Sequence, residues 1–226
     1  MKITFLGTGA ADWPLQKSPE MTEFRRLSSL LIDDTLLIDP GPQVCEALQE
    51  LGKKPEEIRY IINTHTHGDH YRLETVEALE KAGASFHKAV DGDVLTLGKY
   101  TVYAFAGNHS TCKGTVHFII TDGERTLFYG LDGAWLLYEE VQAIKKHRPD
   151  FAVLDATVGF RDGDFRIFEH NDLRMVLEMQ KTLKEFIGTF CISHMARTLH
   201  TDHQTLSETM EPYQIVTAYD GLELTI

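Results

Sequence analysis

The sequence predicts an α/β fold in which sheet layers are covered by helices. Three observations predict it. Short apolar β-type runs alternate with amphipathic helical stretches, glycines and Asp-Gly turns punctuate them, and 226 residues at 42% hydrophobic content can bury a substantial core. No linker, repeat or low-complexity tract breaks the alternation, so residues 1–226 are expected to form a single domain.

Ile3 to Leu6 reads as a strand before the loop Gly7-Thr8-Gly9. Residues 30–32 and 36–38, separated by Asp33-Asp34-Thr35, read as a hairpin. Residues 42–51 read as a helix: Pro42 suits the first turn, Val44, Leu48 and Leu51 recur at helical spacing, and Gly52 can end it. Cys45, beside that stripe, reads as a core residue. Tyr60-Ile61-Ile62 reads as a strand, and residues 73–82 as a helix ended near Gly83. Strands are predicted over 94–97, 100–106, 116–121 and 126–129, the last two joined by Asp122-Gly123. Residues 135–147 read as a helix closing on Lys145, Lys146 and His147, where positive charge complements the helix dipole. Residues 151–154 and 190–193 read as buried strands flanking a helix over 171–186, with Leu173, Val176, Leu177, Leu183 and Phe186 on one side and Gly188 as its stop.

Charge and cysteine content narrow the function. With 22 Lys plus Arg against 34 Asp plus Glu, the net charge of −12 opposes long-range attraction to nucleic acid and argues against a large polyanionic substrate. Cys45, Cys112 and Cys191 are odd in number and scattered, which argues against a disulfide framework and for a reducing compartment such as the cytoplasm. Residues 3–11 faintly mimic a signal-peptide core, but cleavage there would remove the first strand and glycine loop. With no apolar stretch of about 18 residues, neither export nor a membrane span is expected.

The densest chemistry is Thr64-His65-Thr66-His67-Gly68-Asp69-His70, directly after the strand at 60–62. Imidazoles and carboxylates are ligands that borderline divalent metals accept. So short a segment cannot turn all of them onto one tetrahedral ion, because alternate residues of an extended chain face opposite ways and His70 adjoins Asp69. Two neighbouring ions about 3.5–4 Å apart fit better, with His65 and His67 serving one and Asp69 and His70 the other.

The string His65-x-His67-x-Asp69-His70 after a strand resembles the signature of the metallo-β-lactamase superfamily. The segments Met1 to Gly9, Arg25-Arg26-Leu27-Ser28-Ser29-Leu30-Leu31-Ile32 and Leu36-Leu37-Ile38-Asp39-Pro40-Gly41 are similar to its phosphodiesterase branch. The resemblance spans nearly the whole chain and implies an αββα four-layer sandwich holding two divalent ions. It also implies further site residues. His109, after the strand ending near Phe105, resembles the third histidine of the first metal. Asp132, after the buried strand ending in Tyr129, corresponds to a carboxylate bridging both ions. His194, at the strand end Cys191-Ile192-Ser193, joins Asp69, His70 and Asp132 on the second. Asp39 matches an aspartate that accepts a hydrogen bond from a ligating imidazole and fixes its tautomer. His170, ahead of a helix, stands where relatives place the histidine that protonates the leaving oxygen, although the local string departs from theirs. His117 lies inside a strand and reads as a strand residue; His200 and His203 fall in the loop beyond His194 and are set aside.

The implied chemistry is hydrolysis. Two ions, zinc, manganese or iron, acidify a shared water, Asp69 orients the resulting nucleophile, and His170 protonates an alkoxide leaving group. The function expected is a dinuclear phosphodiesterase acting on a small-molecule or nucleotide phosphodiester, cyclic ones included. The alternatives are thioester or lactone hydrolysis and, in a different class, metal binding without turnover. A tRNA-processing endonuclease is less well supported: no basic, glycine-rich arm is present. Loops 10–24 and 158–169 carry the substrate specificity, and Arg25, Arg26, Lys113 and Arg161 are either anion-binding or solvated. The sequence leaves the oligomeric state open, a homodimer included.

Overall fold

The computed structural model describes residues 1–226, in two compact units: Met1–Lys88 with Ala218–Ile226, and Ala89–Thr217. No helix is long and apolar enough to cross a membrane.

The first unit holds β1 (Lys2–Gly7), β2 (Ser29–Ile32), β3 (Leu36–Ile38), α1 (Val44–Glu50), β4 (Tyr60–Ile62), α2 (Leu73–Lys81), β5 (Ser85–Phe86) and the last strand, β13 (Glu223–Thr225). They form one six-stranded sheet in the order β13-β1-β2-β3-β4-β5. The predicted hairpin is present, with Leu31 opposite Leu37. Its turn succeeds because Asp33 and Asp34 adopt φ of 47° and 57°, which aspartate tolerates better than most residues. β3, β4 and β5 run parallel, so α1 and α2 are the crossovers between them. Val44, Ala47 and Leu48 of α1 and Leu79 of α2 close a core with Leu31, Leu37 and Ile61.

The second unit holds β6 (Val94–Leu97), β7 (Tyr100–Ala106), β8 (Val116–Thr121), β9 (Thr126–Gly130), α3 (Tyr138–His147), β10 (Phe151–Asp155), α4 (Leu173–Leu183), β11 (Thr189–Ser193), α5 (His203–Met210) and β12 (Ile215–Thr217). Its seven-stranded sheet has the order β12-β11-β10-β9-β8-β7-β6. β6 to β9 form an antiparallel meander; β9 to β12 are parallel. Ile144 of α3, Leu173, Val176, Met179 and Leu183 of α4 and Leu206 of α5 pack with Phe128, Leu154 and Ile192 in one core. Each site residue expected at a strand end in this unit therefore leaves the sheet at its carboxyl edge, the usual position of ligand sites in open parallel sheets.

Several expectations are corrected in detail. α1 begins at Val44 because Gln43, at ψ 4°, is not helical. Cys45 is exposed rather than core, since it lies off the Val44, Ala47, Leu48 stripe. α3 begins at Tyr138: Trp135 has φ of 60°, and the Glu140 side chain accepts from Leu137 N at 2.7 Å, fixing the helix start there. His147 sits at the end of α3, yet burial, then Lys146, lowers its pKa, so it adds little positive charge to the helix end at neutral pH. α4 starts at Leu173 because Asp172 Oδ1 accepts from Met175 N at 2.7 Å as its cap. His203 is the first residue of α5, not a loop residue. β5, β12 and β13 are three residues or fewer, too short to give a period in the sequence.

Candidate functional site

In the first unit the motif begins where β4 ends. Asp39, leaving β3 at φ of 61°, is fully buried and organises the start of the motif. Its Oδ1 accepts from Thr64 N (2.7 Å) and Thr64 Oγ1 (2.9 Å). Its Oδ2 lies 2.8 Å from His70 Nδ1, an arrangement that places the His70 proton on Nδ1 and leaves Nε2 as the donor atom for a metal. Thr64 Oγ1 in turn reaches His65 Nδ1 at 2.9 Å. The His65 ring lies 4.7 Å from that of His67 and 4.5 Å from that of His70, and Asp69 Oδ2 is 3.4 Å from His70 Nε2. His65, Asp69 and His70 are buried and His67 is half-buried. Asp39 thus meets the His70 ring, and the side chains of His65, His67, Asp69 and His70 are gathered. Arg25 belongs elsewhere: it is buried, donating to Thr8 Oγ1 (2.8 Å) and the Ala218 carbonyl (2.9 Å), which clasps the chain's last segment.

In the second unit Asp132, Asp155 and His194 leave the carboxyl ends of the adjacent parallel strands β9, β10 and β11. With His170 they present ligand-type atoms all within 4.8 Å of one another. Asp132 turns one oxygen to each of two imidazoles: Oδ1 is 2.9 Å from His194 Nε2, and Oδ2 is 3.6 Å from His109 Nε2. The other nitrogen of each ring is anchored. His194 Nδ1 meets Thr157 Oγ1 at 2.8 Å, and His109 Nδ1 faces both the Glu169 carbonyl and its carboxylate at 3.2 Å. Asp132 and His194 have φ of 58° and 62°, conformations that cost energy outside glycine and cluster at functional sites.

His170 is held differently. Its Nδ1 lies 2.8 Å from Asp155 Oδ2 and 3.2 Å from Thr157 Oγ1. Burial pushes the His170 pKa down, but the charge and hydrogen bond of Asp155 outweigh it and raise the pKa above the usual histidine value. Asp155 moves the other way: burial pushes it up, and His170 and then His194 hold it below the usual carboxylate range. Asp155 also accepts from Thr157 N (2.8 Å), Asn171 N (3.2 Å) and Asp132 N (3.1 Å), which pins three site loops to one carboxylate.

His117 has more than a strand role. Val116 to Ile120 are buried on both faces, and His117 Nδ1 pairs with the buried Glu140 at 2.6 Å. Burial lowers the His117 pKa, but Glu140 outweighs it and the net shift is upward. A Cβ on Gly107 would fall 2.8 Å from His117 Nε2 and one on Gly133 2.7 Å from Cε1, so the imidazole wedges between the loops carrying His109 and Asp132. His200 donates from Nε2 to the Ala156 carbonyl and His203 meets Ser207, both outside the cluster at Asp132.

In each unit the donors are imidazoles and carboxylates, buried except for the half-buried His67, with the Nδ1 atoms of His65, His70, His109 and His194 held by second groups. That chemistry fits divalent zinc, manganese or iron.

Residues 24–72 match the family model of the metallo-β-lactamase superfamily. Zinc-bound PqqB from Methylobacterium extorquens is similar along the whole chain, at 14% identity, TM-score 0.74 and 100% coverage of both chains. A diphosphatase from the PhnP family aligns at 18% identity and TM-score 0.74 over 100% of this chain and 97% of its own. Human tRNase Z, short form, aligns at 17% identity and TM-score 0.73 over 100% and 99%. The chain has the metallo-β-lactamase fold. No curated protein sequence matches it. Within this fold, sequence reasoning misses Asp155, Thr157, Glu169 and Glu140. Asp155 carries a usable signal, an aspartate closing the apolar run 151–154 as Asp39 closes 36–38; the others carry none.

Proposed function

We propose that this protein is a metal-dependent phosphodiesterase that cleaves a small-molecule or nucleotide phosphodiester, cyclic ones included. The observation that carries the reading is the Asp155–His170 pair. With Nδ1 committed to Asp155 at 2.8 Å, Nε2 is the nitrogen from which His170 can deliver a proton, and Asp155 raises the His170 pKa above its usual value. An alkoxide leaving a phosphodiester needs such a donor; a thiolate leaving a thioester does not, being far less basic.

In this reading residues 1–226 serve as a single hydrolase domain. His65, His67, Asp69 and His70, with His109, Asp132 and His194, would hold two divalent ions, zinc, manganese or iron. When bound, the ions would supply an acidified water and neutralise charge on the phosphoryl group. Asp69 would orient the attacking water, Asp132 would supply carboxylate charge to the ions, Asp39 fixes the His70 tautomer, and His170 delivers its proton to the departing oxygen. The likeness to a PhnP-family diphosphatase supports a small phosphate substrate. The net charge of −12 weighs against tRNA, despite the likeness to tRNase Z. The reading places the protein in the cytoplasm, as its three scattered cysteines suggest.

The test pairs metal analysis with turnover. Reconstituted protein is expected to hold two metals per chain and to cleave bis(p-nitrophenyl) phosphate but not a thioester. His170→Ala should lose about 10²–10⁴-fold on an alkyl phosphodiester and much less on the p-nitrophenyl ester, whose leaving group needs no proton. Thioester cleavage with no diester cleavage would replace the reading by the glyoxalase-like one. Bound metal with no turnover would leave a binding protein.

A further inference from the structure

The segment between Val158 and Asn171 is a closed loop with an aromatic tip. Val158 N donates to the Asn171 carbonyl at 3.0 Å and Leu173 N to that of Gly159 at 2.8 Å, which ties the neck. Asn171 Oδ1 accepts from Trp135 N at 2.6 Å. At the far side the Glu169 carboxylate accepts from Thr111 N (3.1 Å), Thr111 Oγ1 (2.9 Å) and the Ser110 hydroxyl, which locks the loop onto the segment carrying His109. Between these anchors Phe165 and Phe168 stand 78% and 76% exposed, at the two ends of a 3₁₀ turn. A large apolar side chain gains nothing from that exposure, and two on a pinned turn make a surface rather than a scattered pair.

The turn runs directly into the proton donor: Glu169 N and His170 N both donate to the Arg166 carbonyl, at 2.9 and 2.8 Å. Whatever rests on the aromatic turn is therefore placed relative to His170. Arg166 and Arg174 do not make it an anion site. Arg166 is forked onto Asp164 at 2.8 and 2.7 Å while its guanidinium lies 5.9 Å from the Phe165 ring, and Arg174 pairs with Asp162 at 3.0 Å and lies 5.8 Å from the Phe160 ring. The charges of these two are matched on the loop itself, which leaves Arg161, exposed on the same loop, as its one unmatched arginine and the aromatic faces as the feature that leads into His170.

Resting on the phosphodiesterase reading, we propose that Phe165 and Phe168 form a stacking platform for the leaving alcohol, and that this alcohol carries a flat, uncharged ring of the nucleobase type. In the step concerned, water oxygen bonds to phosphorus and gives up one proton by way of the Asp69 carboxylate to solvent, the bond from phosphorus to the alcohol oxygen breaks, and the electron pair stays on that oxygen, which takes the His170 Nε2 proton; solvent then reprotonates His170.

A mixed diester tests this without depending on the absolute rate. The methyl ester of thymidine 5′-monophosphate can release either thymidine with methyl phosphate or methanol with thymidine monophosphate, from two alkoxides of similar basicity. Metal-loaded wild-type protein is expected to favour thymidine release by about tenfold, at the low end of what base–aromatic stacking supplies. Phe165→Ala with Phe168→Ala should bring the partition near one, and Phe165→Trp with Phe168→Trp should keep it. Both phenylalanines are exposed, so neither change threatens folding. Equal partition in the wild type, or a partition the alanine pair does not move, overturns the platform and leaves the turn to a protein partner. No cleavage of this ester or of bis(p-nitrophenyl) phosphate overturns the phosphodiesterase reading, and the platform with it.

Discussion

Glu140→Leu should be among the most damaging single changes in the second unit. Glu140 is fully buried and makes two bonds: Oε1 to His117 Nδ1 at 2.6 Å and Oε2 to Leu137 N at 2.7 Å. The first is a charge-assisted bond in a dry site, worth about 1.5–3 kcal/mol. The second holds the start of α3, and losing such a cap costs about 1 kcal/mol. Together they predict a loss of about 2.5–4 kcal/mol, overlapping the roughly 3–5 kcal/mol seen when one partner of a buried pair is removed. For a chain of this size that corresponds to a fall in Tm of about 5–16 °C. Urea denaturation followed by circular dichroism measures it. Glu140→Gln, which keeps an acceptor for Leu137 N, should lose less than half as much. Adding His117→Leu to Glu140→Leu should recover stability, because the penalty then falls on no stranded imidazole. A loss below about 1 kcal/mol for Glu140→Leu, or a double variant less stable than the single one, would refute the account of this pair.

Asp39→Asn, which tolerates the same backbone, should weaken metal binding by about 10- to 100-fold by chelator competition, because the bond that fixes the His70 tautomer is lost. Gly133→Ala puts a methyl 2.7 Å from His117 Cε1 and should cost about 1–3 kcal/mol, whereas Gly68→Ala, with nothing within 4 Å, should stay within about 0.5 kcal/mol. Burial raises the Asp34 pKa, but Lys2 and Lys53 outweigh it and hold it below the usual carboxylate range. Its contribution is therefore present above the unfolded value of about 3.9 and lost as pH falls through the lower folded value. Asp34→Asn should accordingly reduce stability at neutral pH and flatten its decline in acid, as read from urea midpoints across that range.

The site is legible in proportion to how locally it is written. Four residues of the metal motif lie within six positions, and their chemistry can be read without knowing the fold. Asp39, Asp132 and His194 are legible one step less directly, as polar residues ending apolar strands. Glu169 is not, because its partners are 58 to 60 positions away at Ser110, Thr111 and His109, and no local pattern marks it. His117 misleads for a related reason. Its position inside a run suggests alternation, whereas the strand is buried on both faces and its imidazole is paired 23 positions on, with Glu140.

The backbone at three of these strand ends shows why the residue types are restricted. Asp39, Asp132 and His194 all leave their strands at φ near +60°. Glycine would adopt that conformation without strain but brings no side chain, and β-branched residues would be strained further. Asparagine, aspartate and histidine are the residues enriched there, and the last two are also metal ligands. The sharp turn stops the strand and re-aims its last side chain across the sheet edge rather than along the pleat. In the second unit the parallel register multiplies the effect, because Asp155 opposite Ser193 brings the ends of β10 and β11 level. A one-residue slip of β11 would send His194 to the other face and break its bond to Thr157. The cost of the left-handed turns is thus met by the buried pairing that sets the register, and the precision of the site depends on the sheet more than on the loops.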